Sequence, residues 1–297
     1  MYRSAEEDDL ALSGAVEPIA SVARAVNEHA RMLRVNRMLA VGELSLRDAA
    51  FDAAAVTTRG MFRRCTESVV LLPICVGATR GVLAAVCAGN YKDESGGVAS
   101  AIVARALLDA FVQSLPGESD VAPTLQRAFI AAHDGLLDCA RAHVGALDLW
   151  TAMGEIGWLP ALGATATAAV ILPHRAWTAH IGDGVALLVR DGAPRRLTIA
   201  HTLGHHLAPR SSELSPWHAS VVLRTLAMQD EPTTMDLGRV DLSRGARLVL
   251  GNCTLDRALD AGLECGVLEP DARSAAAKSD ARSAAGIAAS RIVIDLR

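Results

Sequence analysis

The sequence predicts a mixed α and β domain preceded by a helical extension. Three observations carry that reading. Apolar residues recur at helical spacing in several long stretches. Short runs rich in β-branched and aliphatic residues stand between them. Gly-containing turns link neighbouring runs, as in Asp191-Gly192.

Taken in order, the opening Met1-Tyr2-Arg3-Ser4-Ala5-Glu6-Glu7-Asp8-Asp9 is acidic and lacks the apolar core of a signal peptide. From Glu17 to Val41, Ile19, Val22, Val26 and Leu33 lie among Arg and Glu, which predicts an amphipathic helix. A second short helix is expected around Leu44–Ala55. The first helix either packs back on the domain or presents a partner-binding face, since amphipathicity fits both. Val69–Leu72 and Val82–Cys87 read as buried strands joined by Gly77-Ala78-Thr79-Arg80-Gly81. Pro73 and Arg80 interrupt that stretch, which falls short of the roughly 20 apolar residues a membrane span needs.

Gly96 opens a helix running through Phe111, marked by Ile102, Val103, Ala106, Leu107 and Ala110. Asp120-Val121-Ala122-Pro123 leads into another, Leu125 to His143. Strands are expected over Ala164–Leu172, Ala176–Ile181 and Val185–Arg190, then a short helix over His218–Met228. Ala246–Leu250 reads as a buried strand, Asp256–Cys265 as a helix and Arg291–Leu296 as the closing strand. A small repeat, Asp271 to Ala276 recurring as Asp280 to Ala285, suits a surface helix. No linker divides residues 55–297, so they read as one domain after an extension of residues 1–54.

Composition bounds the function. The chain has 297 residues, a hydrophobic fraction of 51% and a net charge of −4, which supplies a large core and no basic surplus for nucleic acid or anionic membrane. Aromatics contribute only 3%, so Ala, Val and Leu must fill the core. The six cysteines, Cys65, Cys75, Cys87, Cys139, Cys253 and Cys265, form no CxxC pair and read as free thiols in a reducing cytoplasm. A soluble, cytoplasmic protein is expected.

Several segments, in order, resemble the PPM (type 2C) metal-dependent serine/threonine phosphatases of bacterial type. Thr57-Thr58-Arg59-Gly60-Met61-Phe62-Arg63-Arg64-Cys65-Thr66-Glu67-Ser68 is similar to the opening motif. Gly163 to Val170 looks like the Gly-Ser/Thr-Thr strand, and His180-Ile181-Gly182-Asp183-Gly184-Val185-Ala186 like the Val-Gly-Asp-Ser-Arg-Ala hairpin. Leu197-Thr198-Ile199-Ala200-His201-Thr202 resembles the Leu-Thr-x-Asp-His-Ser segment, and Leu223-Arg224-Thr225-Leu226-Ala227 the Leu-Thr-Arg-Ala-Leu piece. The resemblance spans residues 55–297. It implies an α+β fold, an α-β-β-α sandwich of two antiparallel sheets flanked by helices.

The resemblance also implies what is missing. Active members hold two Mg or Mn ions with aspartates from four segments, because hard cations demand oxygen ligands. Those positions here carry Ser68, Ala88, Cys253 and Ala288. Neutral side chains cannot offset the dehydration of two divalent ions, and a general base alone contributes only about 10²–10⁴-fold. The expectation is a pseudophosphatase without catalytic residues, cofactor or metal. It would act by binding a protein partner such as a phosphoprotein or a kinase, with no nucleic acid or membrane among its partners.

Arg63 takes the place of the phosphate-contacting arginine. With Glu67 and Gly89 it forms a candidate phosphate pocket, or else it is a surface charge beside a dead cleft. The alternatives are an active serine/threonine phosphatase that rebuilds a Mg or Mn site from Glu67, Asp93 and Glu94, and a structural subunit that uses the N-terminal helix. His201, His205 and His206 with Glu213 have spacing that a helix could turn into a zinc site, but Gly204 and Pro209 argue for a loop. Asp183 reads as a turn residue. Cys253 has Arg257 four residues on, not the spacing of a cysteine-phosphatase loop.

Overall fold

The computed structural model describes residues 42–47, 49–58, 66–90, 94–114, 116–147, 163–207, 215–227, 231–232, 234–253, 255 and 289–297. The first strands are β1 (Gly42–Arg47), β2 (Phe51–Thr58), β3 (Glu67–Val76) and β4 (Thr79–Gly89). Two long helices follow, α1 (Glu94–Ser114) and α2 (Val121–Leu147). Then come β5 (Ala164–Leu172), β6 (Arg175–Ile181), β7 (Val185–Arg190) and β8 (Ala193–Arg196). Short helices α3 (Leu203–His206) and α4 (Pro216–Ala219) precede β9 (Asp236–Asp241), β10 (Arg247–Gly251) and β11 (Ala289–Leu296).

The strands form a six-stranded sheet, β1-β2-β11-β10-β7-β8, and a five-stranded sheet, β3-β4-β5-β6-β9. Every pairing is antiparallel. Period-two alternation sorts the side chains into layers. In β5, Ala166, Ala168, Val170 and Leu172 face α1 and α2, meeting Val103, Leu107, Phe129 and Leu136. Ala169 and Ile171 point the other way and pack between the sheets against Leu248, Leu250, Ile292 and Ile294. All nine residues of β5 are buried because both faces are covered. The outer face of the six-stranded sheet buries Val56, Leu187, Val249, Leu255 and Val293. The fold is therefore two packed antiparallel sheets flanked by helices, as the resemblance implied.

Helix α1 contains an 18-residue stretch, Gly96–Gln113, apolar and long enough to cross a membrane by composition alone. Val98, Ala99, Val103, Leu107 and Phe111 pack into the layer between helices and sheet, which accounts for that hydropathy as a core face.

Several sequence expectations change. The helix expected over Leu44–Ala55 is the β1–β2 hairpin, with Gly42 opposite Thr57 and Arg47 opposite Asp52. Alanine favours helix locally, but Phe51, Ala53 and Ala55 alternate inward and β2 pairs along its whole length with β11. Among the described residues the sheet starts at Gly42, and residue 55 lies within β2. The helix expected over His218–Met228 is confined to Pro216–Ala219. Beyond it the chain makes single bridges, Val222 to Thr202 and Leu226 to Ala164, and Ala227 takes a positive φ of 57°.

Strand β3 continues through Pro73 because it is an edge strand, where a missing N–H costs no ladder bond. The turn after it contracts to Gly77-Ala78, with φ of 58° at Gly77. Asp191 and Gly192, with φ of 50° and 74°, form the expected two-residue hairpin turn. The helix expected over residues 17–41, the helix at 256–265 and the alanine-rich repeat lie outside the described residues.

Candidate functional site

At one end of the sandwich the aliphatic stripes between the sheets give way to polar residues. From the six-stranded sheet, the inward stripe Phe51, Ala53, Ala55 of β2 ends in Thr57, and Ile294 and Ile292 of β11 lead back to Ser290. Leu248 and Leu250 of β10 continue to Asn252. From the five-stranded sheet, Leu71 and Val69 of β3 lead back to Glu67. All four polar residues are buried.

They bond to one another across the sheets. Asn252 Nδ2 donates to Glu67 Oε1 over 2.6 Å. The Ser290 hydroxyl donates to Glu67 Oε2. Ser290 has one proton and gives it to the carboxylate, so Thr57 is the donor in the 2.5 Å contact between Thr57 Oγ1 and Ser290 Oγ. Glu67 accepts at both oxygens, the role an ionised carboxylate fills best. Its cross-strand neighbour is Ala88, which is in turn opposite Thr165, so no second carboxylate is beside it in the sheet.

The other sequence-predicted positions fall around this cluster. Ser68 points to the opposite face of β3, toward α1, where its hydroxyl lies 2.9 Å from that of Ser100. Ser100 in turn donates to the Gly97 carbonyl over 3.0 Å. Gly89 lies at the end of β4, where its N–H donates to the Thr66 carbonyl over 2.8 Å. A Cβ at Gly89 would come within 2.1 Å of the Gly96 carbonyl oxygen, so this glycine lets α1 start against the strand. Cys253 follows Asn252, is half-buried and forms no disulfide. Cys75, Cys87 and Cys139 are free thiols, and burial pushes the Cys87 thiol up to about 12. Arg63, Asp93, Glu213 and Ala288 lie outside the described residues.

These residues do not fit a dinuclear Mg or Mn centre. Hard cations need several carboxylate oxygens. The inter-sheet cluster offers the carboxylate of Glu67, and hydrogen-bond donors already meet both its oxygens. Among the described residues no group of three His, Cys, Asp or Glu side chains is placed to hold a metal ion. The histidines of the predicted zinc spacing also diverge: His205 and His206 are exposed on α3, while His201 turns inward.

His201 belongs to a second polar array that sequence reasoning missed. His180 of β6 lies between Thr167 of β5 and Asp236 of β9 in the sheet. Its Nδ1 is 2.9 Å from Thr167 Oγ1. The His180 and His201 rings are in contact at a tilt of 38°, with centroids 4.9 Å apart. The Gly182 N–H donates to His201 Nδ1 over 3.0 Å, so the ring proton is on Nε2 and donates to Asp236 Oδ2 over 2.9 Å. Arg224 Nη1, 2.9 Å from that same Nε2, is then a second donor facing a donor, and its bonding runs to Asp236 Oδ1 at 3.2 Å and to the Thr234 carbonyl.

Burial lowers the His180 pKa to about 4, helped by the charge His201 would carry. The backbone of Gly182 and Ile199 tempers the drop without a well-aligned bond to Nε2. Burial also lowers His201, with Arg224 adding to it against the opposing hydrogen bond to Asp236. Asp236, although burial pushes it up, is held below the usual carboxylate range by His201 and Arg224. The array ties the segment carrying His201 and Arg224 to the edge of the sheet and keeps both rings neutral.

Solved structures share this architecture. The Mycobacterium tuberculosis serine/threonine phosphatase PstP/Ppp superposes with a TM-score of 0.62 at 22% identity, covering 84% of this chain and 99% of the phosphatase. The PstP catalytic domain in complex with two manganese ions gives 0.59 at 23% identity, covering 83% and 98%. PppA of Pseudomonas aeruginosa, a key regulatory component of T6SS, gives 0.58 at 17% identity, covering 86% and 100%. No protein-family model and no curated protein matches the chain. At these identities the likeness establishes the PPM phosphatase fold.

Proposed function

We propose that this chain is a PPM-type phosphatase-like protein that binds a protein partner instead of hydrolysing phosphate esters. The observation that carries the reading is the engagement of Glu67. The Glu67 carboxylate accepts from Asn252 and Ser290, so among the described residues amide and hydroxyl donors stand where cation ligands would be needed. Phosphate ester hydrolysis demands an acceleration that positioning and a general base do not supply. The use of this fold in PppA, a regulatory component, is in keeping with a regulatory role. The partner class we favour is a phosphoprotein or a kinase in the cytoplasm.

The test is calorimetric titration of Mn and Mg into the purified full chain, paired with p-nitrophenyl phosphate turnover on the same samples. No binding heat at millimolar metal and no turnover above blank is the expected result. Metal-dependent turnover that disappears in Glu67→Ala or Asp93→Ala would replace this reading with that of a phosphatase with a rebuilt site.

A further inference from the structure

The cleft does more than lack ligands. We infer that Glu67, Asn252, Ser290 and Thr57 form a cation-independent clamp that locks the two sheets together at the end where a metal centre would otherwise bridge them. The inference rests on the reading that the cleft holds no metal, and it adds what the remaining carboxylate is for.

The placement supports it first. Glu67 is on the five-stranded sheet, while Asn252, Ser290 and Thr57 extend strands of the six-stranded sheet. Away from this end, the inter-sheet cluster is apolar, built of aliphatic side chains and Phe51. Strand register places Thr57, Glu67 and Ser290, and Asn252 lies one residue past β10, where its N–H donates to the Ser290 carbonyl over 3.2 Å. Energetics point the same way. Glu67 is 6% exposed, and a carboxylate left without donors at such depth is strongly destabilising. Here its oxygens accept from the Asn252 amide and the Ser290 hydroxyl, and Thr57 donates to Ser290 behind. The residue opposite Glu67 in the neighbouring strand is the uncharged Ala88.

The amide at position 252 is the discriminating group. Asn252→Asp replaces a donor 2.6 Å from Glu67 with a second acceptor, turning a satisfied pair into two facing carboxylates. Thermal unfolding of the full chain, in EDTA and in millimolar Mn, reads the consequence, with p-nitrophenyl phosphate turnover followed on the same samples. Wild-type protein should melt within about 1 °C of the same temperature in both media, while Asn252→Asp should lose roughly 6–10 °C in EDTA and recover part of it in Mn. Ser290→Ala, a milder change, should lose about 3 °C and stay insensitive to Mn.

Variants that melt like the wild type in EDTA would overturn the clamp while leaving the non-catalytic reading in place. A wild-type midpoint that rises in Mn would overturn the clamp by showing Glu67 available to a cation. If that rise comes with turnover, the binding reading falls too.

Discussion

Glu67 and His180 are buried polar residues on the same sheet, each facing the inter-sheet layer near the same end of the sandwich, and each is handled differently. Glu67 meets donors that come from the opposite sheet, Asn252 and Ser290. His180 has a partner from its own sheet, Thr167, with the His201 ring tilted against it from the segment after β8. The first arrangement accommodates a charge with neutral dipoles. The second excludes a charge, since burial lowers both histidines and Arg224 stands beside His201. One joins sheet to sheet, the other joins a loop to a sheet edge. What decides between them is which donors the backbone brings within reach.

Breaking the histidine side alone should have the largest effect. Gly182 has φ of 106°, its N–H holds His201 Nδ1, and a Cβ there would come within 2.2 Å of Thr165 Cγ2. Gly182→Ala should therefore cost about 4 kcal/mol, summing backbone strain and overpacking, as read by urea denaturation. Next comes acid. His180 is neutral in both states above its ordinary 6.5 and contributes nothing there; as pH falls toward about 4 the unfolded chain binds a proton that the folded chain refuses. Stability should drop over that window by on the order of 3 kcal/mol, and His180→Gln should flatten part of the decline. His201 acts in the same direction.

Asn252→Ala should follow at about 2 kcal/mol, because it leaves a carboxylate oxygen without its amide donor. Its penalty should persist in high salt, since the donor is a buried dipole. The smallest change is expected for Arg224→Gln. Arg224 and Asp236 are 32% and 48% exposed, so losing their pairing should cost below about 1 kcal/mol and shrink further with added salt. A salt-dependent Asn252 effect beside a salt-independent Arg224 effect would reverse the comparison.

Much of this was legible in the sequence, and the misses have particular causes. The strands Ala164–Leu172, Ala176–Ile181 and Val185–Arg190 were readable from composition and turn chemistry, and the resemblance supplied their sheet arrangement. Phe51–Ala55 was misread because alanine's local preference hides a strand whose evidence is its long-range pairing with β11. Asn252 and Ser290 were overlooked beside Cys253 and Ala288, although each ends an alternating apolar run, and that period-two signal was present. Ser68 was expected to belong to the cleft, but the same alternation sends it to α1. The His180–Asp236 array could not be read, because it joins residues far apart in the chain through register alone.

Strand β5 is paired on both edges and covered on both faces. Local fluctuations cannot expose its amides without dismantling both layers, so their hydrogen exchange should proceed only through global unfolding. Deuterium uptake at Ala166–Val170 is therefore a built-in gauge of the whole molecule's opening. The exposed strand β8, by contrast, exchanges as a local reporter against which that gauge is read.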